Sequence, residues 1–237
     1  MKKSILYKKA ALDIFWEQAK WSAWFFAVLI VIHAVVMYFN LGNETEVAGF
    51  FEFSRYSTSI FMLVCGILAA YGFMTYFVQQ GISRKDVYRG IALAALGLAI
   101  ALTLIPLFLN GIEYLLVSFT PLELNFMSPG SSADWFWETI VYMLNVFTFY
   151  LVGWMISIGY YRFGWLIGFA FIALAIIAFS FNDYFWGDTG LTSFIPWLPK
   201  ISMEATPFIG IIGSLVLIAV LLAFIHSLTK RVAIKMY

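Results

Sequence analysis

The stretch QQGISRKDVYRG, residues 79–90, lies between two long apolar runs. It contains five closely spaced polar side chains, Ser83, Arg84, Lys85, Asp86 and Arg89. The interruption is unusual because the chain as a whole is 63% hydrophobic and only 11% charged. Ordinary soluble proteins are about 45–50% apolar and about 25% charged. A chain of 237 residues with this composition has more apolar surface than its own interior can bury. We therefore expect a protein that lies in lipid, with this stretch outside the bilayer.

Six segments have the length and apolarity of a membrane-spanning helix, which needs about 20 mostly apolar residues. They lie near residues 21–39, 57–78, 87–109, 139–159, 165–181 and 208–228. The third segment can continue past Pro106 as far as Phe119, in which case the proline would mark a kink. The pattern predicts an all-α integral membrane protein with a single transmembrane domain over residues 1–237.

The distribution of charge predicts the orientation of these spans. If the N-terminus is cytoplasmic, 12 of the 14 lysine and arginine residues fall on the cytoplasmic side, and 10 of the 13 acidic residues fall outside. Cytoplasmic loops carry an excess of lysine and arginine, so we expect both termini in the cytoplasm. The net charge of +1 does not provide the concentrated basic face that nucleic acid requires, and no nucleic-acid partner is predicted.

Two segments outside the spans also have amphipathic or apolar character. In residues 1–20, Lys9, Asp13, Glu17 and Lys20 share one helical stripe, and apolar residues lie roughly opposite. This pattern predicts an interfacial helix on the inner leaflet, with a solvated N-terminal helix as the alternative. The connection at 182–207 is rich in aromatic residues and contains three prolines. It predicts short re-entrant or surface helices before the last span.

Ionisable groups suited to catalysis are scarce in the predicted spans. His33 lies mid-span without an evident acidic partner, so a packed imidazole is favoured over a ligand or proton relay. Glu113 and Glu138 could meet if the third span is extended, but carboxylates in external water are the favoured interpretation. The two histidines and Cys65 have no metal-ligand spacing, and no phosphate-binding loop motif is present. The sequence thus predicts no catalytic residue, no metal site and no cofactor in this chain.

Small and polar residues within the spans indicate where helices contact one another. Gly153 and Ser157 lie four residues apart in the fourth span, and Gly210 and Ser214 repeat this spacing in the sixth. Small residues allow helix backbones to approach closely in lipid. Asn145 and Thr148 form the clearest polar pair inside a span. We expect them to hydrogen-bond to neighbouring helices, with a place on a substrate path as the alternative.

The local chemistry of residues 79–90 predicts a tight turn between two helices. Gly81 can end the second span in a left-handed cap. Ser83 can cap the next helix, and Asp86, three residues later, can act as the acid of a capping box. Arg84, Lys85 and Arg89 would then project toward the cytoplasm. An ordinary cytoplasmic loop whose basic side chains bind lipid headgroups is the alternative.

A family resemblance appears at this turn. The six-span chain resembles the permease subunits of ABC-2 type transporters in its N-terminal segment SILYKKAALDIFWEQAK, its cytoplasmic QQGISRKDVYRG and its proline-bearing loop before the last span. It is most similar to small bacterial permeases for peptides and antimicrobials, in which a G-x-S-R run is frequent here. The resemblance implies that a short helix in this loop docks on a separate ATPase. The implied contact residues are Gly81, Ile82, Ser83, Arg84, Lys85, Asp86, Tyr88 and Arg89.

The function that this resemblance implies is ATP-driven export across the bacterial cytoplasmic membrane. The chain would be a non-catalytic permease subunit, paired with a second identical or homologous permease and with two ATPase subunits that bind ATP and Mg²⁺. Its substrate would be a hydrophobic or amphipathic peptide, antimicrobial or lipid-like molecule. A sensor, scaffold or immunity protein that moves no solute is the alternative.

Overall fold

A computed structural model describes residues 3–40, 47–119, 132–186 and 207–230. Within these ranges the chain is built from α-helices and one π-helical segment. The helices are α1 (Lys3–Phe39), α2 (Phe50–Leu68), α3 (Thr75–Gln79), α4 (Arg84–Phe119), α5 (Ser132–Phe163), α6 (Trp165–Phe185) and α7 (Pro207–Thr229), and the π-helical segment Ala69–Met74 joins α2 to α3.

Six of the resulting segments are long and apolar enough to cross a membrane, as the sequence predicts. They are Leu6–Phe39, Phe50–Gln79, Arg84–Phe119, Trp135–Phe163, Trp165–Phe185 and Pro207–Thr229. The third continues as helix through Pro106 to Phe119, which confirms the extended form of that span. Many large apolar side chains, such as Trp24 and Phe108, are exposed on the outside of the bundle. A surface of this kind suits lipid rather than water.

Helix α5 is the centre of the bundle, because it contacts α2, α4, α6 and α7. Its closest approach is to α2, where Gly153 faces the backbone carbonyl of Leu63 and Gly66 faces the carbonyl of Tyr150. A Cβ atom on either glycine would overlap the opposing backbone. The expected use of Gly153 as a helix-contact residue is therefore confirmed, and it packs against the backbone of Leu63 in α2.

Helices α1 and α4 pack in parallel along nearly their whole length. Gly90 of α4 lies against Ala10 of α1 near one end, and Glu113 bonds to His33 near the other. The contact spans 23 residues on each helix, or about 35 Å at about 1.5 Å per residue. The two longest helices of the fold thus lie side by side.

The division predicted at residue 20 is not marked by a break in the helix. Helix α1 is continuous from Lys3 to Phe39, with no boundary between an interfacial helix and a span. The physical reason is a buried stripe of Ala10, Ile14 and Gln18, which fits against the bundle at four-residue spacing. The N-terminal segment is thus joined to the bundle by packing, whereas its position relative to the membrane interface stays a prediction.

The connections on the predicted cytoplasmic side are short. Gly164 alone separates α5 from α6, with φ 82° and ψ −178°, a conformation that is essentially restricted to glycine. Residues 80–83 separate α3 from α4. On the opposite side, α6 ends at Phe185 and α7 begins at Pro207. The short helices predicted for the 182–207 connection fall mainly outside the described residues.

Candidate functional site

The turn between α3 and α4 has well-defined caps at both of its ends. Gly81 has φ 85°, its N–H donates to the Val78 carbonyl at 2.9 Å, and the Ile82 N–H donates to the Phe77 carbonyl at 3.1 Å. These two bonds form the Schellman motif, so the predicted left-handed cap at Gly81 is confirmed. The chain turns here without leaving the last carbonyls of α3 unpaired.

Ser83 caps the start of α4, as the sequence predicts. Its hydroxyl oxygen accepts the Asp86 N–H at 3.2 Å, and the hydroxyl donates to the Asp86 carboxylate at 2.5 Å. The acid therefore bonds to the serine side chain, whereas in a capping box it accepts the backbone N–H of the cap residue. The mutual bonds hold the first turn of α4 in one conformation.

The structure has no separate coupling helix in this region. Arg84, Lys85 and Asp86 form the first turn of α4, a helix of 36 residues that continues as the third span. The one glycine between Ser83 and the apolar run that begins at Ile91 is Gly90, and it stays inside α4, buried against Ala10 of α1, so it does not end the helix. Any force on this turn therefore acts directly on a membrane-spanning helix.

The predicted contact residues divide into an outward and an inward set. Lys85 and Arg89 are exposed, as are Gly81 and Ser83, whereas Arg84 and Asp86 are half-buried. Ile82 packs against the hydrophobic core. Tyr88 also turns inward, where its hydroxyl donates to the Leu222 carbonyl of α7 at 2.9 Å. The inward pair fastens the turn to the bundle, and the outward residues form its free surface.

A basic patch forms where the start of α4 meets the end of α7. Lys85 and Arg89 of α4 and Lys230, just after α7, all act electrostatically on His226. The His226 ring packs against Tyr88, with ring centroids 4.7 Å apart. Beside this patch, Arg162 donates to the Leu228 carbonyl at 3.2 Å and so binds the C-terminal end of α7. We call Lys85, Arg89 and Lys230 the basic patch.

Asn145 and Thr148 do not act as a pair. Asn145 accepts a long hydrogen bond of 3.4 Å from Ser59 of α2, which is the interhelical contact that the sequence predicts. Thr148 is fully buried, and its hydroxyl donates to Leu144 in its own helix at 2.8 Å. A fully buried side chain in a packed core is poorly placed to line a substrate path.

The structure reveals an ionisable pair that the sequence interpretation missed. His33 Nε2 lies 2.8 Å from Glu113 Oε1, and the two side chains are only 6% and 10% exposed. The other oxygen of Glu113 accepts the Phe50 N–H at 2.8 Å, and Asn110 accepts the Phe51 N–H at 3.2 Å. Glu113 therefore binds the histidine of α1 and also caps the N-terminus of α2, where a negative charge is favourable.

These contacts overturn two expectations about the pair. His33 does have an acidic partner, and that partner lies 80 residues away in the sequence. Glu113 lies beside the first residue of α2, at one end of the bundle. Glu113 is nearly buried in this contact and is not a carboxylate in external water. The signal available in the sequence was the predicted topology, in which the first and third spans run in the same direction and carry His33 and Glu113 near their C-terminal ends. That these two helices pack against each other was not.

No group of three or more histidine, cysteine, aspartate or glutamate residues that could bind a metal ion occurs in the described part of the chain. Two other features stand out as candidate sites, the basic patch at one end of the bundle and the His33–Glu113 pair at the other.

Comparison with known proteins adds no relative, since no protein-family model, curated protein or solved structure matches the chain.

Proposed function

We propose that the chain is the permease subunit of an ABC-2 type exporter and that it is driven by a separate ATPase docked on the basic patch. The observation that carries this proposal is the capped turn at residues 79–90, which leads without a break into α4. Both termini and the patch would lie in the cytoplasm, and the membrane would be the bacterial cytoplasmic membrane.

The geometry of the turn suits the transmission of force. It is closed by the Schellman motif at Gly81 and by the Ser83 cap, so little backbone freedom remains between α3 and α4. Tyr88 connects the same turn to α7 through its bond to Leu222. A push on Lys85 or Arg89 would therefore move α4 and α7 together rather than distort a loose loop.

The basic charges in the first turn of α4 are poorly explained by the stability of that helix. Arg84 and Lys85 occupy the first turn of the helix, where the partial positive charge of the macrodipole disfavours cations. A glutamate at these positions would suit the helix better. Cytoplasmic loops of membrane proteins carry an excess of basic residues, and an acidic groove on a partner protein is a further requirement that would favour these charges and also give specificity.

The contacts of α4 connect the patch to the rest of the bundle. Along its length the helix packs against α1, α2, α5 and α7. Its other end carries Glu113, which binds both His33 and the start of α2. Movement at the patch would thus reach the opposite side of the membrane through one helix of about 54 Å.

The substrate path would lie between two permease subunits. The interior of a single chain is a contiguous core of buried side chains, whereas the outer faces of α1 and α6 carry large exposed apolar residues. Such faces suit either lipid or a second subunit. The complex would contain two permeases and two ATPases that bind ATP and Mg²⁺, with a hydrophobic or amphipathic substrate such as a peptide, an antimicrobial or a lipid-like molecule.

The double variant Lys85→Glu/Arg89→Glu tests the docking surface. Both side chains are exposed, and acids near the start of α4 favour the helix, so we expect normal membrane insertion and an unchanged helical circular dichroism spectrum. Recovery of the ATPase with the tagged permease should fall at least about tenfold, the effect of losing about 1.4 kcal/mol of binding free energy. ATP hydrolysis stimulated by the permease should fall with it.

Lys8→Glu/Lys9→Glu is the matched control, because it makes the same charge change on exposed side chains of α1. We expect the control to retain the ATPase. Equal recovery for the patch variant and the wild type would sink the docking assignment, and equal losses in both variants would reduce the patch to a general effect of basic charge.

A further inference from the structure

The second membrane-spanning segment contains an irregular joint where α2 meets α3. Residues Ala69–Met74 form a π-helical segment, which is wound more loosely than an α-helix. At its two ends the Ala69 N–H donates to the Gly66 carbonyl and the Thr75 N–H donates to the Gly72 carbonyl, both three residues back. The hydrogen-bond spacing of the α-helix is therefore interrupted within this span. Interruptions of this kind mark the places where helices bend.

The joint is packed on one side and open on the other. Ala69, Ala70 and Met74 are buried in the core. Gly72 is exposed, and among the described residues nothing lies within 4 Å of the position that a Cβ atom would occupy there. This open side borders a cleft of about 610 Å³ between α1 and the second span, whose lining residues include Trp16, Glu17, Leu68, Gly72, Tyr76 and Gln80. The backbone of the joint therefore has space in which to bend.

A single side chain bridges the joint, and its hydrogen bonds are long. The Thr75 hydroxyl lies 3.4 Å from the Ala70 carbonyl oxygen, five residues back, and 3.5 Å from the hydroxyl oxygen of Tyr161 in α5. Hydrogen bonds donated by hydroxyl groups are usually about 2.5–3.0 Å long. Little hydrogen-bond energy is therefore lost when the backbone bends at this point.

The helices on the two sides of the joint are held by different partners. Helix α2 is packed against α5 through close backbone contacts at Gly66 and Gly153. Helix α3 packs mainly against α4 and the π-helical segment, and the caps at Gly81 and Ser83 connect it rigidly to α4. When α4 moves relative to α5, α3 follows α4 and α2 stays with α5. The difference is taken up between α2 and α3.

We propose that Ala69–Met74 is a hinge, at which α3 and the capped turn move as one unit with the start of α4 while α2 stays fixed on α5. A hinge of this kind needs only a few residues that absorb the change in backbone angles. As an account of how a docked ATPase would move the spans, this rests on the proposed function. As a statement about the motion of the chain, it stands without it.

Distances between paired spin labels test the hinge in the purified protein, in phosphatidylcholine nanodiscs and without an ATPase. One pair, at Ile60→Cys and Gln79→Cys, uses exposed positions on the two sides of the joint. The control pair, at Leu12→Cys and Val31→Cys, has the same spacing of 19 residues on exposed positions of the continuous α1. Both pairs are made in a Cys65→Ala background, which removes the one native thiol.

The two pairs should give different distance distributions. For the α1 pair we expect one narrow peak at about 28 Å, the length of 19 residues of α-helix. For the pair across the joint we expect a main peak and an additional population at shorter distances, because bending brings the two ends of the segment closer together.

Gly72→Ala tests whether the glycine gives the hinge its freedom. The added methyl group enters open space, and alanine favours regular helix. The population at shorter distances should fall about fivefold, which corresponds to about 1 kcal/mol of helix propensity. Gly111→Ala is the matched control, because it makes the same change in the open surroundings of α4 and should leave the distribution unchanged.

Equal widths for the two label pairs would overturn the hinge, as would an unchanged distribution in Gly72→Ala. An equal effect of Gly111→Ala would indicate general stiffening of the bundle and would also contradict a local joint. The assay contains no ATPase, so it can fail while docking on the basic patch holds. Conversely, loss of ATPase docking would leave these distances unchanged.

Discussion

At the scale of single residues, the His33–Glu113 bond is the contact that the linear sequence hides best. Neither residue is conspicuous alone, since one histidine in a span and one glutamate beyond a proline both have ordinary explanations. The bond forms because α1 and α4 are parallel with a constant offset, so Ala10 meets Gly90 and His33 meets Glu113. That offset is set by tertiary packing, which periodicity within one helix does not reveal.

A double-mutant cycle on His33 and Glu113 measures the strength of this contact. Since the side chains are only 6% and 10% exposed, either change to alanine leaves a nearly buried polar partner unpaired. We expect each single variant to destabilise the folded protein and the double variant to cost less than their sum, with a coupling of about 0.5–3 kcal/mol. Reversible unfolding in detergent micelles, followed by circular dichroism, gives the free energies. Strictly additive losses would mean that the two side chains do not stabilise one another.

At the scale of helices, the composition of the chain predicts most of what the structure contains. The six spans follow from hydropathy, and the C-terminal end of α1 and both ends of α6 and α7 lie within a few residues of the predicted positions. The caps at Gly81 and Ser83 follow from local backbone chemistry. The unbroken α1 does not, because its N-terminal half is polar in sequence and helical only by virtue of the stripe that it buries.

The approach of α2 to α5 gives a prediction at this scale. Gly66→Ala and Gly153→Ala each place a methyl group against an opposing carbonyl, so the two helices must separate. Overpacking of this kind costs about 1–3 kcal/mol. Gly111→Ala is the matched control, because Gly111 lies in α4 with open space around it and alanine has the higher helix propensity. The midpoint of thermal unfolding in micelles should fall in the first two variants and hold or rise in the control.

A different ranking would be informative. If all three alanine variants were equally stable, the α2–α5 contact would not be close-packed in the membrane, and the central place of α5 in the bundle would be in doubt. If the control were the least stable of the three, Gly111 would have a role that its open surroundings do not show.

At the scale of the whole molecule, the two candidate sites lie at opposite ends of α4. The basic patch is at its first turns, and the His33–Glu113 pair is near its last turns. The charge distribution predicts that the patch faces the cytoplasm and the pair lies toward the outer side. A single helix therefore joins the surface proposed to bind the ATPase to this nearly buried pair.

The function of the whole molecule is predicted least well by sequence patterns. The resemblance to ABC-2 permeases depends on the turn at residues 79–90 and on topology, and the structure adds the stiffness and exposure of that turn. The proposed ATPase, second subunit and substrate are other molecules. Their identities depend on surface complementarity, which one chain's hydropathy and helix caps do not encode.

Isolation of the tagged protein from its native membrane, after lysine-reactive crosslinking in intact membranes, tests the central proposal most directly. Lys85 and Lys230 in the basic patch are exposed and available to the crosslinker. We predict a stoichiometric phosphate-loop ATPase joined to the permease, with crosslinks at Lys85 or Lys230 and ATP hydrolysis in the purified complex. Recovery of the protein without an ATPase, across several detergents and with crosslinking shown to be efficient, would contradict the transporter assignment and favour a sensor or scaffold.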